Sequence, residues 1–135
     1  MSKILKEVEA VPLPGPLVEK MVKKLMEADR EWTMKAWHAE GQRIGSYLRM
    51  GYQDLQSLSQ AVVEFQGLLP FRRLEFRSVD SEAKGGVVIR AIGADLSPET
   101  TACAEQLMRG VMDAYEWKVR SSRTAEGIIE MRVSS

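Results

Sequence analysis

The chain has 135 residues, 44% of them apolar and 28% charged, and nineteen basic side chains balance nineteen acidic ones. These totals fit one globular domain with a sizeable core. They exclude a strongly basic nucleic-acid-binding chain and a disulfide framework, and no run of roughly 18 apolar residues offers a membrane span.

Residues 1–16 end in "VPLPGP", where closely spaced prolines favour an extended or turn conformation. This stretch reads as an N-terminal arm, and residues 17–135 read as a single domain. The arm's opening "MSKILKEVEA" lacks an apolar run of signal-peptide length. With one cysteine and no export signal, the expected location is cytoplasmic.

A helix is expected from Pro16, with proline near the first position, where its missing N–H costs little. Val18, Met21, Val22, Leu25 and Ala28 recur at helical spacing, and Lys20, Lys23, Lys24 and Glu27 fall opposite. The pattern continues through Trp32, Ala36, Trp37, Ile44, Tyr47 and Leu48, as one long helix or as two joined near Asp29, a possible N-cap. Gly41 and Gly45 share one face, where small residues let another backbone approach closely. Gly51 is expected just past the helix end, at C′. Leu55, Leu58, Val62 and Phe65 mark a further helix, capped by Asp54 and ended by Gly67 and Pro70.

The period then drops to two. "RRLEFRSV" and "VVIRAIG" read as a hairpin around the turn "EAKGG". "DLSPET" opens a helix, with Ser97 as N-cap, Pro98 at N1 and Glu99 near the positive end of the dipole. Ala104, Leu107, Met108, Val111 and Met112 form its buried stripe. "YEWKVRS" and "GIIEMRV" supply two more strands. The expected fold is α+β: N-terminal helices, then an antiparallel sheet of about four strands in the order β-β-α-β-β, covered by helices on one face. Arg73, Glu75, Arg77, Glu116, Lys118, Arg120, Glu130 and Arg132 alternate in sign on the other face, as a solvated surface would.

Chemistry has few carriers. Cys103 lies near the inward face of its helix, without a CxxC or CxxH neighbour, and reads as a small buried hydrophobe. His38, the sole histidine, reads as an exposed or hydrogen-bonded helix residue. No glycine stretch matches a phosphate loop and no serine sits in a nucleophile elbow. No catalytic constellation, metal site or cofactor is expected, so the chain reads as a non-enzyme. Trp32 and Trp37 are five apart, about 140° round a helix, so both cannot point into one core.

"EGQRIGSYLRMG", the following helix, "RRLEFRSVDSEAKGGVVIRAIG", the Cys103 helix with Gly110, and "EGIIEMRV" together resemble the 4-vinyl reductase domain over roughly residues 38–133. That family has a ligand-binding fold shared with haem nitric-oxide sensors and Golgi-tethering subunits. The resemblance implies a domain that binds hydrophobic or aromatic ligands and is often dimeric through its helices. It also implies a zinc site built on a helix cysteine, matched by Cys103, and on cysteines around the last strands. Those are missing: "SSRTAEGIIEMRV" has Gly127 but no cysteine, and an aliphatic residue near Ile129 stands where the last one belongs. Structural zinc wants four strong ligands, so no metal is expected.

Two functions follow. The first is a non-catalytic domain binding a hydrophobic or aromatic small molecule in a pocket lined by Trp37, Ile44, Phe76, Cys103, Leu107 and Trp117. The second is a dimeric assembly subunit, its homodimer formed through the N-terminal helices with Trp32, Trp37, Gly41 and Gly45 at the interface. Neither calls for nucleic acid or a membrane span.

Overall fold

The computed structural model describes residues 13–60, 73–79, 86–93 and 96–134. The arm's first twelve residues, the helix stripe at Val62 and Phe65, its end at Gly67 and Pro70, and most of the turn "EAKGG" lie outside them. No helix of the described residues is long and apolar enough to cross a membrane.

α1 spans Gly15–Ala28, starting one residue before the expected Pro16, with Pro14 at the cap position. α2 spans Arg30–Gly51. They are two helices, not one, because Asp29 is extended at φ −160° and breaks the α pattern. The same residue starts the second helix: its Oδ1 accepts from Trp32 N at 3.0 Å. Gly51 is the last residue of α2 and not its C′ residue; Tyr52 takes the cap and its N–H closes onto Leu48 O at 2.7 Å. An extended Tyr52 ends the helix without the left-handed step that glycine would supply. α3 spans Leu55–Gln60, with Asp54 Oδ1 accepting from Ser57 N at 2.7 Å.

β1 (Arg73–Val79) and β2 (Gly86–Ile92) pair antiparallel. α4 (Pro98–Ala114) begins as the residue types dictate, with Ser97 Oγ accepting from Thr100 N at 3.1 Å. β3 (Lys118–Ala125) and β4 (Ile128–Ser134) close the fold, and the sheet order is β1-β2-β4-β3, antiparallel throughout. β3 starts later than "YEWKVRS" suggests. Tyr115 and Glu116 form the turn that ends α4, with Glu116 at φ 59°, so Glu116 is not a member of the sheet face.

β4 is central, and Ile129, Met131 and Val133 are buried beneath α4 with Ile89 and Ala91 of β2. Leu107, Met108, Val111 and Met112 of α4 fill the other side of this cluster, which Ile44 and Leu48 of α2 extend. A smaller cluster joins Val22 and Met26 of α1 to Cys103. On the outer face, the register sets Glu75, Arg90, Glu130 and Arg123 in one row across all four strands. The α+β architecture, the strand pairs and the helical cover on one face agree with the sequence pattern.

Candidate functional site

Two lines of side chains run along α2 beside α4. Arg30, Met34, His38 and Gln42 recur at four-residue spacing, and Glu31, Lys35 and Ala39 form the neighbouring line. Residues four apart share a helix face. With Gln106 of α4 these side chains line an open groove of about 720 Å³. That volume lies in the range of small-molecule sites.

The groove's polar groups are fixed in different ways. His38 Nε2 donates to Asp113 Oδ2 across 2.7 Å, and Gln42 Nε2 reaches the same oxygen at 3.5 Å. A carboxylate acceptor makes Nε2 the donor, so in the neutral ring Nδ1 is the acceptor. Lys35 Nζ lies 2.9 Å from Glu31 Oε1, and that hydrogen bond and charge raise the Lys35 pKa. Arg30 has no ion pair among the described residues, which leaves its guanidinium free to meet an anionic or polar group.

Met34 links the groove to the interior. Its side chain packs with Val18 and Trp37 against the Val22, Met26 and Cys103 cluster. Cys103 is fully buried, with Sγ 4.0 Å from Met26 Sδ. Burial pushes its thiol up to about 11, and the positive charge of Arg30 offsets only part of that. A thiol held this far from ionisation is a poor nucleophile. Among the described residues, no group of three or more His, Cys, Asp or Glu gathers as a metal set.

The residues expected to form a pocket fall into two places. Ile44 and Leu107 are buried in the main cluster, with Trp37, Phe76 and Trp117 half-buried against it. Cys103 sits in the smaller cluster, and Trp37 touches both. Of the two candidate interface tryptophans, Trp32 is 58% exposed and Trp37 is not. Gly41 and Gly45 do not face outward. They pack on α4 of the same chain, where a methyl on Gly45 would come within 2.9 Å of Val111 Cα. Their spacing serves internal helix packing, so they are not available to a partner.

Sequence reasoning missed the groove residues Arg30, Met34, Gln42 and Gln106, and Asp113, which holds His38 from outside the lining. The four-residue repeat of Arg30, Met34, His38 and Gln42 was readable, but Gln106 and Asp113 come from a helix more than sixty residues away.

No family model and no curated protein matches the sequence. Among solved structures, one from a study of heme distortion in the H-NOX family superposes with a TM-score of 0.52 and 9% identity, over 97% of this chain and 80% of that one. A second, from work on porphyrin distortion and heme redox potential, gives 0.49 and 10%, over 97% and 85%. A third, an oxygen-binding H-NOX domain related to soluble guanylate cyclases, gives 0.47 and 12%, over 97% and 80%. The likeness to the first of these is one of fold: the same α+β architecture carried by a very different sequence.

Proposed function

We propose that this chain is a non-catalytic domain that binds a small molecule with an apolar or aromatic body and one polar or anionic group. The groove beside α2 and α4 carries the reading. Its apolar part is Met34 and Ala39, and Arg30 stands at one end with no ion pair among the described residues. A ligand seated there covers alkyl surface and meets a guanidinium suited to a carboxylate. The resemblance to the 4-vinyl reductase domain supports the same class of ligand, and the H-NOX-like fold supports a domain that binds a small molecule.

Haem itself does not fit the residues present. Haem iron takes an axial ligand such as His or Cys thiolate. His38 is tied to Asp113 through Nε2, and Cys103 is a fully buried, protonated thiol against Met26. Cys103 offers no thiolate, and the one lone pair left on His38, at Nδ1, stands at an open groove lined by Arg30, Lys35 and Gln106, not in an enclosed apolar pocket of the kind a porphyrin fills.

The test is native mass spectrometry of the purified chain, followed by a thermal screen of aromatic and aliphatic carboxylates. Ligand at a hundredfold excess over Kd adds about 2.7 kcal/mol of stability. A compound that raises Tm in the wild type but not in Arg30→Ala and Ala39→Trp supports the reading. If no compound copurifies and none raises Tm, the reading fails.

A dimeric assembly role is the second reading, favoured by one observation. Trp32 and Met50 lie eighteen residues apart on α2, five full turns, and so share one line. They are 58% and 81% exposed, with Tyr47 beside that line at 38%. A monomer at micromolar concentration by light scattering counts against it.

A further inference from the structure

α1 has two apolar faces and only one of them is covered. Val22 and Met26 are buried in the Cys103 cluster, with Val18 packed beside them. Leu17, Met21 and Leu25 recur every fourth residue on the adjoining face and are 44%, 47% and 39% exposed. Leu13, just ahead of the helix, is 52% exposed. Residues at this spacing share one line, so the helix shows solvent a continuous ridge of leucine and methionine.

One border of that ridge is basic. Lys24 and Lys20 stand about 60° and 100° round the helix from Met21, both exposed and neither with an ion pair among the described residues, while Lys23 lies on the far side. The neighbouring acid Glu19 is turned inward, where its Oε1 accepts from Ser97 N at 3.3 Å. Glu27 is the one exposed acid of the helix.

We propose that α1 docks this ridge on an anionic lipid surface. Leu17, Met21 and Leu25 enter the boundary between headgroups and acyl chains, and the lysine stems extend so that their ammonium groups meet lipid phosphates and carboxylates. The helix lies flat on the bilayer and does not cross it. Charge decides against a second copy as the occupant. Antiparallel pairing of two ridges centred on Met21 sets Lys20 and Lys24 of each chain beside the same lysines of the other, and like charges at that distance repel. An anionic bilayer presents the opposite sign. The proposal is independent of the groove, which α1 does not line.

Co-sedimentation of the full chain with sucrose-loaded vesicles tests it. The chain sediments with phosphatidylcholine vesicles containing about one third phosphatidylserine, and about tenfold less with phosphatidylcholine alone. Raised salt releases it. Lys20→Glu/Lys24→Glu loses binding through charge, and Leu17→Gln/Met21→Gln loses it through the ridge. Both double variants keep the wild-type Tm, because the altered side chains are exposed. No sedimentation with the anionic vesicles overturns the proposal, as does binding that survives Leu17→Gln/Met21→Gln. A dimer that this variant converts to a monomer also overturns it, by showing that a second copy covers the ridge.

Discussion

Gly41 of α2 and Gly110 of α4 meet backbone to backbone. A methyl group on Gly110 would come within 2.7 Å of Gln42 N and 2.9 Å of the Gly41 carbonyl carbon, and one on Gly41 would overlap the Leu107 carbonyl oxygen. This approach sets the α2–α4 spacing, and with it the groove between His38, Gln42 and Gln106.

Gly41→Ala and Gly110→Ala are therefore expected to destabilise the fold by about 1–3 kcal/mol each, against the helix propensity they gain. Gly15→Ala and Gly51→Ala are the controls. Nothing lies within 4 Å of a methyl at either site, so both are expected to be neutral or slightly stabilising. Urea midpoints separate the two pairs.

Tyr115 ties the end of α4 to the end of α2, its hydroxyl donating to Tyr52 O at 2.6 Å. Tyr115→Phe keeps the buried ring and removes the donor. The expected loss is about 1 kcal/mol in urea denaturation, with the helix content by circular dichroism unchanged.

Stability is expected to fall at alkaline pH. Burial raises the Cys103 thiol from 9.0 to about 11, and it raises the Tyr115 hydroxyl as well. A group whose folded pKa lies above its unfolded value keeps the folded state protonated longer. Its contribution is full below the unfolded pKa and disappears as pH rises through the folded one. For Cys103 that window runs from 9.0 to about 11. Cys103→Ala should flatten the fall in urea midpoint across this range. Native Cys103 should resist iodoacetamide at neutral pH and react once the chain is unfolded; alkylation followed by intact mass reads both states.

Local chemistry announced most of the fold. Asp29, Asp54 and Ser97 cap their helices through bonds within three residues of themselves, so residue type alone located them. The two-residue alternation of Ile129, Met131 and Val133 announced a half-buried strand in the same way. The bend between α1 and α2 stayed open because Asp29 suits a helix end and a helix start equally. The groove was not legible for a different reason. It depends on Asp113 and Gln106 standing opposite Met34 and His38, and that pairing follows from the backbone approach of Gly41 to Gly110. Gly41 and Gly45 were visible as a small-residue face, but the helix that packs on them was not. β3 begins later than expected because Glu116 adopts φ 59°, an uncommon conformation for a residue with a side chain.

The groove reading also assigns a role to the cross-helix tie. His38→Ala should cost no more than about 1 kcal/mol of stability, since the pair with Asp113 is partly exposed. It should nonetheless weaken ligand binding, because the ring is part of the lining. Asp113→Asn, which keeps the shape, should weaken binding less. Isothermal titration of both variants with a compound from the thermal screen gives the comparison.

The most direct measurement is binding of a tight carboxylate ligand to the wild type and to Met34→Asp, followed by calorimetry. Met34 is the apolar residue that joins the groove to the interior. The account predicts saturable one-to-one binding to the wild type and at least about a tenfold loss in Met34→Asp, equivalent to about 1.4 kcal/mol. Saturable binding of equal strength to both chains would place the ligand elsewhere and contradict it.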